Sequence, residues 1–523
     1  MLQTTKPPGT DLDKFRLRRF VERLIELGEV VVHKDPIALA KLSAAIASTP
    51  KAILFKDVGP DHLEMVAAVC GSRRRLAAAF GVDERQVAHE YMRRLGNAQP
   101  VIEVKSEQAP VHQLVQTGEA INLTKLPFHL QHEYDGGVYI SAGIDYAIDP
   151  VTGKRNVGCR RLMLRSRDTM RANLTDASDL KRMYLACLER GERLPVSYVI
   201  GSHPLDYLAA TQRQPVDEFA LVATLRGEPA PMVRGVSNDI LVPADAEVVI
   251  EGYFDELGYR EMEGPYGEFY GYYGKMHIDP VFHVTAVTMR ADALHQSVLH
   301  AGRFVGRMDS ANLASLNAEV AAWRLLRAAR IEPVAINFSL ASNGRQHARV
   351  ALKRGKPGEA RLAIAALFAL PTVKHAFIVD EDVDVFSDEE MEWAMAVRFR
   401  ADRDLIVATD MPGFYADPIA DQNGRVTKAG FDLTAPVGQP DTIDFRRAYA
   451  PADASEAPRF NRVVDALNAG PMHFGQLLAT MGSTDGREIA LELDVLRERG
   501  VLTRLPNGEW ALKIVSSEIV SSE

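Results

Sequence analysis

VYISAGIDYAID (138–149) and NVGCRRLMLRS (156–166) are the stretches that decide the fold of the central part of the chain. Both carry apolar and β-favouring residues, and the turn-like sequence DPVTGK (149–154) separates them. The pattern predicts two strands joined by a short turn. Similar runs continue to about residue 300: PVSYVIG, AEVVIEGYF and PVFHVTAVTM. We therefore predict a β-rich domain over residues 121–310.

Patterns typical of α/β structure flank this domain on both sides. Residues 11–28 have helical periodicity, and strand-like runs and a second helical stretch follow, which predicts an N-terminal α/β region over 1–120. Helical periodicity returns over 311–330, and strand–helix alternation continues from there. That alternation predicts a C-terminal α/β domain over 311–450.

The last part of the chain has a different organisation. PADASEAP (451–458) predicts a linker, and 459–515 combines three helical stretches with two short strands around Asn507-Gly508, a strong hairpin signal. Three helices and a hairpin are typical of a winged-helix module. Its acidic and basic residues are balanced, so DNA binding, a protein contact, a lid and a structural appendage all stay open. Residues 516–523 are predicted to form a disordered tail.

Composition narrows the class of protein. The chain has 523 residues, 61 of them basic and 70 acidic, and a formal net charge of −9, which argues against nucleic acid or an anionic membrane as the main partner. Cys70, Cys159 and Cys187 are too few and too scattered for a disulfide framework or a cysteine-rich metal site. The start of the chain lacks an apolar signal core, and the sequence predicts a cytoplasmic protein without a membrane span.

One loop in the central domain combines carboxylates with aromatic residues and glycines. EGPYGEFYGYYG (263–274) contains Glu263 and Glu268. Desolvation against aromatic walls raises the pKa of a carboxylate, which makes it a candidate proton donor near neutral pH. Two glutamates in one pocket also push their pKa values apart and so separate acid from base. The alternative is a glycine-rich hairpin with two solvated carboxylates.

Two adjacent arginines lie on the second of the opening strands. Neighbours on a strand point to opposite faces, so one of Arg160 and Arg161 faces inward and the other outward. An inward arginine is costly unless it meets an anion, and a bidentate clamp on a carboxylate is a natural use for it. Pairing with a structural acid is the alternative interpretation.

These motifs together resemble the UbiD family of reversible decarboxylases, which use prenylated FMN. The resemblance covers about residues 10–450 and rests on segments in the order and spacing of that family: NVGCRR, GERLPVSYVIGSHP, VDEFALVATLRGEPAPMV, LVPADAEVVIEG, EGPYGEFYGYY, PVFHVTAVTMR, VDEDVDVF and KAGFDLT. It implies an N-terminal α/β region, a central split β-barrel-like flavin domain and a C-terminal α/β oligomerisation domain. The 459–515 module lies outside it.

The resemblance also implies site residues. Arg161, Glu263 and Glu268 match the catalytic trio, with Arg161 and Glu263 orienting the substrate carboxylate and Glu268 as the proton donor. The family anchors the flavin phosphate through a divalent metal, usually Mn²⁺ (Mg²⁺ and Fe²⁺ being alternatives), with K⁺ close by. The asparagine and glutamate ligands match Asn156 and Glu218, whose oxygens suit a hard cation.

The histidine ligand of the family is absent at its expected place. That position falls on Asp179, which either ligates the metal as a hard oxygen donor or caps a helix. Val157 and Arg160, beside Asn156, are expected to contact the cofactor. Lys428, before GFDLT, matches a lysine expected to reach the flavin phosphate.

Three further residues are candidates for the substrate pocket: Tyr266, His300 and Arg303. His300 and Arg303 follow a predicted strand and either contact a second polar group of the substrate or lie in a solvated loop. DEDVD (380–384) looks like a carboxylate metal cluster. It is better explained as the end of a strand, followed by a helix whose capping box is Ser387 and Glu390.

The implied reaction is reversible non-oxidative decarboxylation of an aromatic or α,β-unsaturated acid, or of an aryl-CoA thioester, through a covalent prenylated-FMN adduct. Such a carbanion needs an electron sink that side chains do not provide. The implied partners are a flavin prenyltransferase that supplies the cofactor and further copies of the chain, as a dimer or hexamer. A non-catalytic subunit of a carboxylase complex and a flavin-binding regulator acting through the winged helix are the alternatives.

Overall fold

The computed structural model describes residues 11–174, 178–212, 216–354, 356–436, 448, 450–451 and 458–513. Two compact units are present, residues 1–434 and 435–523. Most of the predicted linker (451–458) and all of the predicted tail (516–523) lie outside the described residues. Within the described ranges, no helix combines the length and apolarity needed to cross a bilayer.

The N-terminal region has the predicted α/β structure. Its elements are α1 (Leu17–Glu26), β1 (Val30–His33), α2 (Leu42–Ala47), β2 (Ala52–Val58), β3 (Leu63–Ala67), α3 (Arg73–Phe80) and α4 (Val87–Leu95). Strand β1 pairs with β2 in parallel, and β2 pairs with β3 in antiparallel orientation. Phe20 and Leu24 on α1 are buried, which explains the helical periodicity of this stretch.

The central domain is built mainly of strands. Its elements are β4 (Val101–Val104), β5 (Leu114–Thr117), β6 (Tyr139–Ile148), β7 (Arg155–Leu164), β8 (Thr169–Ala172), α5 (Asp179–Arg190), β9 (Leu194–Ile200), α6 (Pro204–Ala210), α7 (Glu218–Arg226), β10 (Ala230–Arg234), β11 (Leu241–Pro243), β12 (Val248–Phe254), β13 (Glu261–Glu263), β14 (His277–Asp279), β15 (Val281–Met289) and β16 (Leu294–Ser297). Strand β16 pairs with β3 and so ties this domain to the N-terminal sheet.

Six of these strands close into a barrel. Their order within the described residues is β12-β9-β6-β7-β8-β15, and β15 pairs again with β12 to complete the ring. The stretches VYISAGIDYAID and NVGCRRLMLRS form β6 and β7, which are antiparallel neighbours in this ring. The predicted barrel is confirmed, and both functional clusters described below begin on β7.

The C-terminal domain is also α/β, as predicted. It comprises α8 (Asp309–Ala328), β17 (Pro333–Phe338), β18 (His347–Leu352), α9 (Glu359–Leu367), β19 (His375–Asp380), α10 (Asp388–Arg398), β20 (Leu405–Pro412) and β21 (Arg425–Asp432). These strands form a sheet in the order β17-β18-β19-β21-β20. One apolar core runs from α3 and α4 through the barrel to α8 and β18, with Tyr91, Ile144 and Leu316 among its buried members.

The DEDVD segment has a structural role. Strand β19 ends at Asp380, and the Ser387 hydroxyl accepts a hydrogen bond from the backbone N–H of Glu390 at the start of α10. The Glu390 carboxylate accepts from the N–H of Asp384 at 2.7 Å. Half of the predicted capping box is therefore present, and the glutamate fastens the turn before the helix instead of completing the box.

The second unit contains three helices followed by a hairpin, as predicted for a winged-helix-like module. Its elements are α11 (Val463–Asn468), α12 (Phe474–Met481), α13 (Arg487–Glu498), β22 (Leu502–Arg504) and β23 (Trp510–Leu512). Gly508 has a φ of 88°, which the turn between β22 and β23 requires. Ile489, Leu493 and Leu496 form the apolar face of α13 and are buried in a separate small core.

Candidate active site

The glycine- and aromatic-rich loop is the connection of a short hairpin. Strands β13 and β14 form its stem, and Glu263 lies directly opposite His277 across that stem. A further bridge joins Gly267 to Tyr273 inside the loop. The hairpin alternative was therefore right about the backbone, but the two glutamates are not both solvated: the Glu263 side chain is fully buried and that of Glu268 is 26% exposed.

Arg161 on β7 joins the two glutamates. Its Nε and Nη2 donate to the two carboxylate oxygens of Glu263, both at 2.9 Å, which is a bidentate pair. Its Nη1 donates to Glu268 at 2.7 Å. Arg161 is the arginine that forms the bidentate carboxylate pair, and the structure brings the three predicted residues into direct contact.

The electrostatics of Arg161 favour its charged state. Burial by itself lowers the pKa of a guanidinium, but the hydrogen bonds and charge of Glu263, with the charge of Glu268, outweigh this effect and raise the pKa of Arg161. A buried ion pair of this kind is costly to break, because the remaining partner is left charged without compensation. Arg161 and Glu263 therefore form a fixed pair, while Glu268 has a single bond and partial access to solvent.

Tyr266 supplies the aromatic surface next to this pair. Its ring centroid lies 4.6 Å from the Arg161 guanidinium carbon, a cation–π contact. The Tyr266 hydroxyl donates to Gln131 at 2.6 Å, and its ring packs on Tyr139 with centroids 4.7 Å apart. Tyr266 thus holds the guanidinium plane from the side.

His277 and Asp279 belong to the same cluster and were missed by the sequence analysis. His277 Nε2 lies 3.2 Å from a Glu263 oxygen and 3.2 Å from Arg161 Nη2. On its other side, His277 Nδ1 lies 3.0 Å from a carboxylate oxygen of the fully buried Asp279. The signal was present in GKMHIDP (274–280), immediately after the loop, where a histidine two residues from an aspartate falls on one face of a strand.

The two predicted pocket residues that follow β16, His300 and Arg303, lie in different surroundings. His300 lies 6.2 Å from the Tyr266 ring, and burial, with the nearby charges of His132 and Arg161, lowers the pKa of His300 to about 4. A neutral imidazole therefore faces the Arg161 side of the pocket. Arg303 is exposed and stacks on the adjacent ring of Phe304.

Arg345, from the C-terminal domain, lies close to the loop and was also missed. Its guanidinium carbon is 4.9 Å from the Phe269 ring and 5.1 Å from the Phe414 ring. Phe269 directly follows Glu268, so a cation reaches the residue next to the predicted proton donor. Its charge also contributes to the low pKa of His300.

A second cluster lies near the start of β7. Glu218, the first residue of α7, accepts a hydrogen bond from the backbone N–H of Val157 at 2.6 Å. The Asn156 amide lies 3.4 Å from a carboxylate oxygen of Asp145 on the neighbouring strand. Asp145 is fully buried, and its second oxygen lies 3.4 Å from Arg160 Nε without a well-aligned hydrogen bond in the described part of the chain.

Two carboxyl groups of this cluster have raised pKa values. Burial, with the nearby charges of Asp179 and Asp145, raises the pKa of Glu218 to about 7, even though the bond from Val157 lowers it. Burial also raises the pKa of Asp145. Two carboxyl groups whose ionisation is opposed by their surroundings need a nearby cation to ionise fully.

Arg160 and Asp179 lie at the edge of the second cluster. Arg160 Nη2 donates to the Ser178 hydroxyl, which caps α5, at 3.0 Å. Arg160, on the outward face of β7, therefore contacts the start of helix α5. Ser178 takes the capping role that was one alternative for Asp179. Asp179 is mostly exposed and lies 3.4 Å from Arg182.

This donor set fits a divalent cation next to a phosphate. The carboxylates of Glu218 and Asp179 and the Asn156 amide offer the hard oxygen ligands that Mn²⁺ and Mg²⁺ accept. The second oxygen of Asp145 has no well-aligned hydrogen bond among the described residues, although Arg160 lies 3.4 Å away, so it can meet a further cation. The N-termini of α5 and α7 also reach this part of β7, and helix N-termini favour phosphate.

Lys428 has a different environment from the one expected. Its side chain is fully buried on β21, where Nζ donates to the backbone carbonyls of Phe368 and Leu370 at 2.9 and 2.7 Å. Burial lowers its pKa to about 8. The ammonium group of Lys428 thus binds two backbone carbonyls that follow α9. Among the described residues, no contact places it in the second cluster.

Family models match the chain in three consecutive parts. They are the N-terminal domain (residues 21–95), the Rift-related domain (102–303) and the C-terminal domain (311–433) of 3-octaprenyl-4-hydroxybenzoate carboxy-lyase, or UbiD. The matched segments cover most of the first compact unit.

Individual proteins match over nearly their whole lengths. Anhydromevalonate phosphate decarboxylase of Methanosarcina mazei is 31% identical over 442 residues, which is 83% of this chain and 99% of the relative. The UbiD-class enzyme HmfF of Pelotomaculum thermopropionicum in complex with FMN is 31% identical, with a TM-score of 0.77 and 83% and 97% of the two chains covered. An evolved dimeric form of HmfF with prenylated FMN is 29% identical, with a TM-score of 0.75 and coverages of 84% and 97%.

Proposed function

Because the chain belongs to the UbiD family of carboxy-lyases, we propose that it catalyses the reversible, non-oxidative decarboxylation of an aromatic or α,β-unsaturated carboxylic acid with prenylated FMN. The observation that carries this proposal is the Arg161 guanidinium, held on two sides by Glu263 and on the third by the more exposed Glu268. A substrate carboxylate can replace the single bond to Glu268 without disturbing the bidentate pair.

Arg161 and Glu268 have separate roles: Arg161 binds the substrate carboxylate and Glu268 transfers the proton. Arg161 Nη1 binds the substrate carboxylate once Glu268 has moved away, and Tyr266 keeps the guanidinium plane in position. When bound, the prenylated flavin supplies the electron sink for the carbon that loses CO₂. Glu268, released from Arg161 as a carboxylate, takes up a proton from solvent, to which its side chain is 26% exposed, and delivers that proton to the carbon.

Glu263 compensates for the change of charge during the reaction. The substrate carboxylate loses its charge when it leaves as CO₂, and Arg161 would then be buried with one anion fewer. The bidentate bond to Glu263 remains, so the guanidinium stays paired throughout. In the reverse direction the same pair is ready to receive the carboxylate that forms.

Anchorage of the cofactor is proposed at the other end of β7. Asn156, Asp179 and Glu218 would hold Mn²⁺ or Mg²⁺ against the flavin phosphate, with the buried carboxylate of Asp145 beside Asn156. Arg160 and the Val157 backbone would contact the same group. K⁺ close by is part of this proposal, as is assembly into a dimer or hexamer.

The distal part of the substrate is proposed to lie near His300 and Arg345. The curated relative from Methanosarcina mazei acts, by its name, on an acid that carries a phosphate. A neutral His300 can donate to such a group, and Arg345 adds a positive charge beside Phe269. A free acid with a second polar or anionic group fits these neighbours, and an aryl-CoA thioester remains the alternative.

Expression with and without a flavin prenyltransferase tests the proposal. Protein made with the prenyltransferase should acquire visible absorbance, retain a divalent metal, and release CO₂ from at least one acid in a panel of aromatic and α,β-unsaturated acids. Protein made without it should be inactive on the same panel. A colourless protein under both conditions would contradict the cofactor assignment.

A direct measure of proton transfer complements this screen. Incubation of the decarboxylated product in D₂O should introduce deuterium at the carbon that carried the carboxylate, because protonation by Glu268 is reversible. A coloured protein that neither releases CO₂ nor exchanges this hydrogen would favour the non-catalytic subunit instead.

A further inference from the structure

His277 occupies a position between Arg161 and Glu263 that the proposed reaction does not yet use. Its Nε2 is 3.2 Å from an oxygen of Glu263 and also 3.2 Å from Arg161 Nη2. An unprotonated Nε2 accepts a hydrogen bond from Arg161, whereas a protonated Nε2 donates to Glu263. The same nitrogen therefore has a partner in either protonation state.

The cluster around His277 has more negative than positive charge. Three carboxylates, Glu263, Glu268 and Asp279, lie around one guanidinium, that of Arg161. Glu263 and Asp279 are fully buried, so solvent screens their charges poorly. When a substrate carboxylate takes the place of Glu268 on Arg161, Glu268 loses its cation but stays in the same loop, so the cluster then contains a fourth carboxylate and still only one guanidinium.

Nearby charges outside this group are already paired. Glu261, on the same hairpin stem, is bonded to Arg165 and Arg171, both at 3.0 Å. The groups that face the imidazole are then Arg161 from β7, Glu263 from β13, Asp279 from β14 and, through Arg161, Glu268 from the loop. Only His277 in this set can add a positive charge.

We propose, on the basis of the proposed function, that His277 is a charge-balancing positioning residue that takes up one proton from solvent when the substrate carboxylate binds to Arg161. The imidazolium is held by Asp279 on one side and Glu263 on the other, and it offsets the added anion. The His277 side chain is 21% exposed, so the proton has a route from solvent.

The electrostatics around His277 agree with this role. Burial lowers its pKa, but the hydrogen bond and charge of Asp279 and the charge of Glu263 raise it more, and the net direction is upward from the ordinary value despite Arg161. A histidine with a raised pKa needs little further negative charge to become protonated near neutral pH.

Calorimetric titration of the flavin-loaded protein with benzoate, between pH 6 and pH 9, tests the proposal. Above the pKa of His277 the Kd for benzoate should rise about tenfold per pH unit, because one proton is bound with the ligand. His277→Asn should bind benzoate with a Kd that no longer depends on pH in this range. Benzamide, the uncharged counterpart, should show no pH dependence with either protein.

Glu268→Gln separates the two titratable groups that a carboxylate would meet. If His277 takes up the proton, this variant keeps the pH dependence of the wild type. A pH dependence that disappears in Glu268→Gln and survives in His277→Asn would overturn the proposal, and so would a wild type that does not bind benzoate at pH 6.

Asp279→Asn provides a second variant that keeps the imidazole. It removes the charge that stabilises the imidazolium, while the amide oxygen can still accept the bond from the Leu174 N–H. The onset of weaker benzoate binding should move to lower pH. An unchanged onset contradicts the assignment to His277.

Failure of this inference and failure of the proposed function give different results. Proton-linked binding of benzoate by a protein that releases CO₂ from no acid would leave the inference standing and remove the decarboxylase assignment. Release of CO₂ together with pH-independent binding of benzoate would overturn the inference about His277 and leave the decarboxylase assignment standing.

Discussion

The two ends of strand β7 carry clusters of similar composition but opposite character. At one end, Arg161 is bonded to Glu263 and Glu268, and every contact in this group joins a donor to an acceptor. At the other end, Glu218 has one backbone donor and Asp145 keeps an oxygen without a well-aligned hydrogen bond in the described residues. In the first cluster the bonds of Arg161 to both glutamates form without a ligand, whereas we propose that the second cluster is completed by a cation from outside the chain.

We therefore assign the chemical step to the cluster around Arg161 and cofactor binding to the cluster around Glu218. A complete ion-pair network holds its geometry before any ligand arrives, which suits groups that must meet a reacting carbon. An incomplete network binds a cation tightly because the cation relieves the repulsion between its carboxylates. Substitutions in each cluster test whether the first acts mainly on catalysis and the second mainly on metal and flavin binding.

Glu268→Gln should have the largest effect on activity. It removes the proton donor and leaves Arg161 and Glu263 paired, so kcat is expected to fall by about 10²- to 10⁴-fold while bound flavin is retained. Glu261→Gln on the same hairpin is the matched control, since its contacts to Arg165 and Arg171 lie outside the cluster. Comparable losses in both variants would show a structural effect instead of a missing proton donor.

Arg161→Met should be the most destabilising change at the complete end. It leaves Glu263 buried and charged without its partner, which is expected to lower the free energy of unfolding by about 3–5 kcal/mol. Urea unfolding followed by circular dichroism measures this loss. Arg161→Met combined with Glu263→Gln should recover part of it, and a double variant as unstable as the single one would argue against the pair as the cause.

Glu218→Gln should act mainly on the metal. We expect the affinity for Mn²⁺ to fall by about 10- to 100-fold, as measured by electron paramagnetic resonance of the free ion, because a charged ligand is lost. Without metal, the variant should be at least as stable as the wild type, because the opposing carboxyl charges of Glu218 and Asp145 are reduced. A metal-free variant of clearly lower stability would contradict the view that this end is incomplete.

Asp179→His restores the type of ligand that the family resemblance implies at this position. A nitrogen donor favours Mn²⁺ over Mg²⁺, so the ratio of the two affinities should rise by several-fold if Asp179 is a ligand. Competition between the two metals in the flavin-loaded protein measures this ratio. An unchanged ratio would place Asp179 outside the metal site, in the exposed pair with Arg182.

Lys428→Met should have the smallest effect on function. Flavin retention is expected to stay unchanged, and the free energy of unfolding should fall by about 1–3 kcal/mol because the carbonyls of Phe368 and Leu370 lose their donor. Loss of flavin from an otherwise stable variant would instead assign Lys428 to the cofactor phosphate.

The sequence was sufficient for the barrel and for the contact between Arg161, Glu263 and Glu268. Strand periodicity predicted β6 and β7, and the resemblance linked residues that are about 100 positions apart. The carbonyl contacts of Lys428 were not predictable from its motif, because Phe368 and Leu370 precede it by 60 and 58 residues.

The charges that surround each side chain in the two clusters were also not predictable from the sequence. Asp145 and Asn156 are separated by a turn and meet because β6 and β7 are paired in a particular register. His277 gained its role from the register of the β13–β14 stem, which sets it opposite Glu263. Such cross-strand neighbours depend on the pairing and not on local spacing.

The stem formed by β13 and β14 also has an evolutionary consequence. Because Glu263 and His277 face each other at the loop end of the stem, residues 264–276 leave and return to the stem at neighbouring points. The cost of closing a loop rises slowly with its length, so the part of this segment after Glu268 can be lengthened, shortened or exchanged while the paired residues keep their places. Substrate range can therefore diversify through residues 269–276 while Arg161, Glu263, Glu268 and His277 remain constant.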